Sequence, residues 1–192
     1  MREIQAVSCD NASSGADKMD RSSAQEQLTV VDASDRAMGV APRTLVHRAG
    51  MPHRSVHILV FDPRGRLLLQ RRSHGKDENP GLWDSSAAGH VEAGETYGTC
   101  ARRELAEELG IRPRRPLERL FKIPASAETG WEFCMVYRVV HCGSIQPDPG
   151  EIMQVQWLAC SRVTSWVSSR STDLAPSFRF IWRRFLTLEH AP

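Results

Sequence analysis

The sequence predicts an α+β fold in which helices cover a mixed β-sheet. Its 192 residues, 41% of them hydrophobic and 25% charged, have the composition of a globular domain with a sizeable core. Strand-like and helical patterns alternate along the chain with turn signals between them, and no internal repeat is visible. We therefore expect one main domain.

The first part of the chain differs in composition from the rest. Residues 1–27 are rich in Ser, Ala, Asp and Gln and contain few large apolar residues, which predicts a disordered tail. Structure is expected to begin near LTVVD, so that residues 28–192 form the folded domain. The tail has no apolar segment like that of a signal peptide, and no run approaches the length of a membrane span. We expect neither export nor membrane insertion.

Charge and cysteine content limit the possible partners and location. The formal net charge is +2 with both signs mixed along the chain, so bulk electrostatics predicts no binding to nucleic acid polymers or membranes. The cysteines are odd in number, form no CxxC pair and mostly lie in apolar runs, which predicts small buried thiols. This usage suits the reducing cytoplasm. The five are Cys9, Cys100, Cys134, Cys142 and Cys160.

Local patterns predict the individual elements. Two β-rich runs flank DPRG in VHILVFDPRGRLLLQRR, which predicts a hairpin, and further strands are expected at LERLFKI, WEFCMVYRVV and IMQVQWLAC. Helices are expected from Thr96 to Leu109, at SRVTSWVSS and at APSFRFIWRRFLTL. In the last helix, apolar residues at helical spacing predict a stripe that faces the core. They are Phe178, Ile181, Trp182, Phe185 and Leu188. Trp83 is expected in the core or in the wall of a site.

The helix in the middle of the chain has clear end signals. Thr96 is a suitable N-cap, Gly110 suits a left-handed residue after the last turn, and Pro113 prevents continuation. The helix is therefore expected to run from about Tyr97 to Leu109.

This helix carries an unusual cluster of glutamates. At about 100° per residue, Glu104, Glu107 and Glu108 share roughly a 100° arc, which we expect to point away from the core. Like charges at this spacing repel by about 0.2–0.5 kcal/mol per pair, and only Arg103 is near enough to relieve them. A bound divalent cation resolves the conflict, because hard oxygen ligands suit Mg²⁺ or Mn²⁺. The upstream Gly89 would let a backbone carbonyl approach the same ion.

The segment GHVEAGETYGTCARRELAEELGI, residues 89–111, resembles the box of the Nudix hydrolases in every specified position. The resemblance implies an α/β/α sandwich with a mixed central sheet, and Mg²⁺- or Mn²⁺-dependent cleavage of a nucleoside-diphosphate-linked or other diphosphate substrate. It implies that the three helix glutamates and the Gly89 carbonyl bind metal. Glu95 and Arg103 match a pair that braces the loop against the helix.

A wider resemblance covers nearly everything after residue 28. The chain is similar to the Nudix subgroup related to isopentenyl-diphosphate isomerase, whose second cation site uses histidines. That resemblance implies diphosphate contacts at Arg72 and Lys76, and substrate or metal contacts at four further residues: His47, His53, His90 and Glu132. For the histidines an ordinary satisfied or exposed imidazole is the alternative, and for Glu132 an ordinary strand residue.

Two departures from the isomerase pattern favour hydrolysis. Ala88 stands where the isomerase has its proton-transferring cysteine, and a methyl group cannot exchange a proton with an alkene. Gly130 stands where the isomerase has an acidic metal ligand. Conversely, this chain keeps all three helix carboxylates, which isomerases lose. The sequence thus predicts a hydrolase, with an isomerase and a non-catalytic Nudix-like binding module as the alternatives.

The implied mechanism uses one to three Mg²⁺ or Mn²⁺ ions to neutralise the diphosphate and to acidify the attacking water. Glu104 is the first candidate for the general base, and Glu151, in the loop after PDPG, is the second. We expect a small-molecule substrate, such as a sugar nucleotide, a dinucleotide or a prenyl diphosphate. The protein is expected to be a monomer or a homodimer.

Overall fold

The computed structural model describes residues 26–169 and 171–189. All but the last two residues of the predicted tail lie outside the described residues. The first strand begins at Gln27, one residue before the expected start of the domain.

Nine strands, four helices and one short 3₁₀ turn follow one another along the described chain. The strands are β1 (Gln27–Val31), β2 (Ala37–Pro42), β3 (His53–Phe61), β4 (Arg66–Arg72), β5 (Trp83–Asp84), β6 (Ala87–His90), β7 (Glu118–Ile123), β8 (Glu132–Val140) and β9 (Ile152–Ala159). The helices are α1 (Arg43–Ala49), α2 (Tyr97–Leu109), α3 (Cys160–Ser168) and α4 (Pro176–Glu189), and the 3₁₀ turn is Ala127–Thr129.

Seven strands form one mixed sheet around β3. This strand pairs in parallel with β8, antiparallel with β6, and meets β4 at Phe61 and Leu67. Strand β4 pairs with β5 and β9, and β7 pairs with β8. The parallel register places His53 opposite Glu132, and the antiparallel one places Ser55 opposite His90. Strands β1 and β2 form a separate hairpin.

Helices cover both faces of this sheet. Alternate residues of β3 point to opposite faces, so Val56 and Ile58 pack against α2 whereas Leu59 and Phe61 pack against α3 and α4. Two apolar clusters result, one on each face. The predicted α+β class and the α/β/α layering are both confirmed.

The predicted elements are present with small changes at their ends. Helix α2 has the expected bounds: Thr96 accepts a hydrogen bond from the Thr99 backbone N–H, and Gly110 is left-handed with φ of 67°. The hairpin, the three later strands and the two later helices are also found. In the α4 stripe the first four residues are buried, but Leu188 is 42% exposed because it lies in the last turn, beyond the sheet.

Two predictions about side chains need correction or completion. All four described cysteines are free, but only Cys100 and Cys134 are buried, whereas Cys142 lies exposed in the loop after β8. Trp83 is a core residue of the α4 side and contacts Trp166 edge-on. No helix in the described part of the chain is long and apolar enough to cross a membrane.

Candidate active site

The glutamates of α2 face the end of β6 instead of pointing away from the protein. Glu104 is 8% exposed and Glu108 is 4% exposed, and only Glu107 lies at the surface. The expectation of a shared outward face is therefore wrong for two of the three. The cause is the antiparallel pairing of β6 with β3, which brings residues 87–90 across the helix.

Gly89 is required for this close approach. A Cβ at this position would lie 1.9 Å from Glu104 Oε1 and 2.1 Å from Glu104 Cδ, far inside van der Waals contact. The carboxylate thus lies directly against the β6 backbone. The arrangement brings Glu104 beside Gly89, as the sequence predicts.

Arg103 connects the loop before α2 to the helix. Its Nε and Nη2 donate to the two carboxylate oxygens of Glu95, both at 2.9 Å. Its Nη1 donates to Glu104 at 2.7 Å and to Glu107 at 3.1 Å, and its Nη2 also donates to the His90 carbonyl at 3.0 Å. The guanidinium therefore fixes the loop, the helix and the end of β6 together.

Because Glu104 and Glu108 are buried, their charged forms are disfavoured when no cation is bound. Desolvation and the neighbouring Glu108 raise the pKa of Glu104 to about 9. Desolvation also raises the pKa of Glu108 to about 7, although Lys76 opposes the shift. Gln70 Nε2 donates to Glu108 Oε2 at 2.9 Å. A bound cation would favour the charged forms, so this carboxylate pair fits a divalent ion.

A second cluster lies where α1, β3, β6 and β8 meet. One ligand atom each from His47, His53, His90 and Glu132 lies within 4.8 Å of the others. His47 Nε2 is 3.2 Å from His90 Nε2, and His90 Nε2 is 3.4 Å from Glu132 Oε1. We call these four residues the histidine centre. The structure brings together all four residues to which the isomerase-like resemblance points.

The chemistry of the histidine centre fits a metal ion. His53 Nε2 is buried, lies 3.7 Å from Glu132 Oε1, and has no hydrogen-bond partner within residues 26–169 and 171–189. Burial disfavours the charged form of His53, but Glu132 and the Met51 carbonyl outweigh it and raise its pKa. Burial of the Glu132 carboxylate is outweighed by its contacts with His53 and His90, which hold the pKa of Glu132 well below its usual range. The ligand set of three imidazoles and one carboxylate suits a borderline metal.

The remaining predicted residues line a cleft of about 1780 Å³, together with the box glutamates and with His90 and Glu132 of the histidine centre. Lys76 pairs with Glu151 across the cleft. Arg72 Nε donates to the Glu78 carbonyl at 3.0 Å, and Arg72 Nη1 lies 3.8 Å from an oxygen of Asp84. The two cations expected to contact diphosphate therefore lie on the cleft wall near the box carboxylates.

Sequence reasoning missed several polar residues of this cleft. His57 Nδ1 lies 2.7 Å from Ser85 Oγ, and burial lowers the pKa of His57. Glu78 lies against His47, with 2.9 Å between Oε1 and Nδ1. The alternation of β3, which puts residues 53, 55 and 57 on one face, could have identified His57. No local signal identifies Glu78, because it reaches α1 from a distant loop.

The chain is similar to known proteins in both sequence and fold. The model of the NUDIX domain matches residues 51–177. The isopentenyl-diphosphate Delta-isomerase of Serratia proteamaculans is 34% identical over 166 residues, covering 85% of this chain and 89% of that protein. Nudix hydrolase 3 of Arabidopsis thaliana is 46% identical over 101 residues, which are 51% of this chain and 13% of that protein. A crystal structure from Deinococcus radiodurans superposes with a TM-score of 0.73 at 26% identity, covering 83% of this chain and 98% of that one.

Proposed function

We propose that this chain, which belongs to the Nudix family, is a hydrolase that cleaves a diphosphate linkage with the help of Mg²⁺ or Mn²⁺. The substrate we propose is a small molecule, either a nucleoside-diphosphate-linked compound or a prenyl-type diphosphate. The observation that carries the proposal is the buried pair of Glu104 and Glu108 against Gly89, with Glu107 beside them at the mouth. Such a buried carboxylate pair is fully charged at neutral pH only with a counter-charge.

The side chains take separate roles in the proposed reaction. When bound, divalent cations neutralise the diphosphate and lower the pKa of a water molecule. Glu104, Glu107 and Glu108 with the Gly89 carbonyl would hold them. Arg103 fixes the carboxylates in place through its contacts with Glu95 and Glu104.

Substrate orientation and proton removal involve other residues of the cleft. Arg72 and Lys76 would hold the phosphate oxygens, because guanidinium and ammonium groups both pair with phosphate. Glu104 is our first choice for the general base, because it lies against Gly89 within the carboxylate cluster and a bound cation would keep it in the charged form that accepts a proton. Glu151 is the second choice, although Lys76 already pairs with it.

We also propose that the histidine centre binds a second metal ion. The unpartnered Nε2 of His53 supports this, because a buried imidazole nitrogen without a partner costs free energy unless something binds it. The residues would hold a cation beside the box, because His90 follows the box residue Gly89 along β6. His90 and Glu132 remain alternatives for direct substrate contact.

A diphosphate library tests the proposed hydrolysis. Purified protein is incubated with nucleotide sugars, dinucleotides, nucleoside diphosphates and prenyl diphosphates, in Mg²⁺ and separately in Mn²⁺, and monophosphate and phosphate products are measured. We expect release of products from at least one class. The matched control is Glu107→Gln, which keeps the volume and the surface position but removes one charge. Equal product from this variant, or no product from any class, would contradict the proposal.

The isomerase is the second candidate because relatives with that name are similar over most of this chain. Its chemistry needs a titratable group near the alkene, and Ala88 offers none. The cysteine nearest to Ala88 in the sheet register is Cys134, which lies opposite Ser55. Burial raises the pKa of Cys134, so its thiol is a weak acid. We expect no dimethylallyl diphosphate from isopentenyl diphosphate. Its formation by wild-type protein, in a preparation free of host isomerase, would favour the isomerase instead.

A further inference from the structure

The loop between β4 and β5, residues 73–82, reaches the histidine centre through a single carboxylate. Glu78 Oε1 lies 2.9 Å from His47 Nδ1, and the opposite nitrogen of the same ring, Nε2, lies 3.2 Å from His90 Nε2. Glu78 therefore touches His47 on the side that faces away from the centre.

A second histidine of the centre has the same arrangement. His53 Nδ1 is 2.9 Å from the Met51 carbonyl, while its Nε2 points at Glu132. A neutral imidazole carries one N–H, so an acceptor at Nδ1 keeps the proton there and leaves the Nε2 lone pair for a cation. For His53 the acceptor is a backbone carbonyl of its own segment. For His47 it is a carboxylate from a loop more than thirty residues away in sequence.

The same loop also reaches the box carboxylates. Lys76 pairs with Glu151, and both residues line the same cleft as Glu108. The loop is held to the rest of the protein by Arg72 Nε, which donates to the Glu78 carbonyl at 3.0 Å, and by a 2.7 Å ion pair between Asp77 and Arg43 of α1. Only one residue, Asp77, thus separates the side chain at the histidine centre from the side chain in the diphosphate cleft.

We propose that Glu78 is a positioning residue that aims His47 Nε2 at the histidine centre, and that a metal ion bound there fixes residues 73–82 and thereby Lys76 at the cleft. The inference rests on the second metal site proposed above, and its test does not depend on hydrolysis, because it measures zinc binding and amide exchange. Asp77 is its natural comparison, because it is the adjacent acidic residue of the same loop and also pairs with α1, but with Arg43 instead of a histidine.

Zinc binding tests the first half of the proposal. Calorimetric titration with Zn²⁺ is done on protein carrying Glu107→Gln and Glu108→Gln, so that the box contributes little to the signal. Adding Glu78→Ala is expected to weaken Zn²⁺ binding by about 10- to 100-fold, the usual effect of losing an outer partner of a ligating histidine. Glu78→Gln keeps an acceptor oxygen without the charge, so its Zn²⁺ affinity should lie between those of the parent and Glu78→Ala. Asp77→Asn loosens the same loop but leaves the Glu78 carboxylate in place, so it should weaken Zn²⁺ binding less than Glu78→Ala does.

Hydrogen exchange tests the second half. In the parent protein, saturating Zn²⁺ should slow amide exchange in residues 73–82, and Glu78→Ala should lose this slowing even when Zn²⁺ saturates the site. Unchanged Zn²⁺ affinity in Glu78→Ala and Glu78→Gln would overturn the positioning role. If the rate of amide exchange in residues 73–82 does not change when Zn²⁺ is added, the proposed link to Lys76 is wrong. If His47→Ala binds Zn²⁺ as the parent does, the second metal site itself is wrong. That outcome would leave the hydrolase proposal standing, because hydrolysis is assayed separately with Mg²⁺ on the unmodified box.

Discussion

Replacing Gly89 by alanine is the sharpest test of the close approach between β6 and α2. The new Cβ would lie 1.9 Å from Glu104 Oε1, and an optimal contact is about 3.5 Å, so the carboxylate or the strand must move by roughly 1.5 Å. Glu104 cannot move freely, because Arg103 Nη1 holds the same oxygen at 2.7 Å. The displacement therefore breaks an ionic hydrogen bond or opens the β6 pairing.

Both stability and activity should respond to this change. Forcing an extra methyl group into a packed site costs about 1–3 kcal/mol of unfolding free energy, which urea denaturation measures. A shift of about 1 Å in a catalytic group lowers kcat/KM by about 100-fold, measured with the substrate found in the library. We expect both losses together in Gly89→Ala.

A control and a rescue separate the clash from a general effect of alanine. A Cβ at Gly98, in the first turn of α2, would meet only Tyr137 and Thr96 at 3.9 and 4.0 Å, so Gly98→Ala should keep stability and activity. In Gly89→Ala combined with Glu104→Ala the clash is removed, and the two changes should cost at least about 0.5 kcal/mol less together than the sum of each alone. Wild-type kcat/KM in Gly89→Ala would refute the assigned geometry.

Three further outcomes are expected. Glu108→Gln should abolish hydrolysis and leave the far-UV circular dichroism unchanged, since the amide keeps the volume but not the charge that holds a cation; full activity would refute the metal-site assignment. Arg72→Ala and Lys76→Ala should raise KM more than they lower kcat if they contact a non-reacting phosphate, and an unchanged kcat/KM in both would exclude them from substrate binding. In metal-free protein the raised pKa values of Glu104, about 9, and Glu108, about 7, mean that the folded state holds protons that the unfolded chain has already released. The unfolding free energy should therefore be largest near pH 5 and fall as the pH rises to 9; Glu104→Gln should fall less steeply, and identical slopes in urea denaturation would contradict the assignment.

The parts of the fold that were predictable have strong local signals. Helix α2 has a capping threonine and a terminal glycine, and the β3 and β4 hairpin surrounds a DPRG turn, so neighbouring residues suffice to define both. The β1 and β2 hairpin and α1 have weaker signals, although α1 does end at the left-handed Gly50. Met38 and Val40 lie exposed on β2, against the usual pattern, and α1 buries only Val46 and has no side-chain cap. These elements form because they pack on the domain.

The candidate site, like the fold, has one part that the sequence predicts and one part that it does not. The spacing of Glu104, Glu107 and Glu108 is local to one helix, so sequence alone predicts that the three lie close together. Which of them is buried depends on where β6 returns, and that depends on pairing with β3 over thirty residues away. The burial, and the raised pKa values that follow from it, therefore had to come from the structure.

The histidine centre is the clearest case of a site made by sheet register. His53 and Glu132 are 79 positions apart, and the parallel pairing of β3 with β8 places them opposite each other at the ends of their strands. The antiparallel pairing of β6 adds His90 one step along the same face, opposite Ser55. A slip of one residue in either pairing would turn these side chains to the other face of the sheet, against α2, and dismantle the cluster. The same register fixes Gly89 toward α2 and His90 toward the cleft, so a single short strand positions one residue at each proposed metal site.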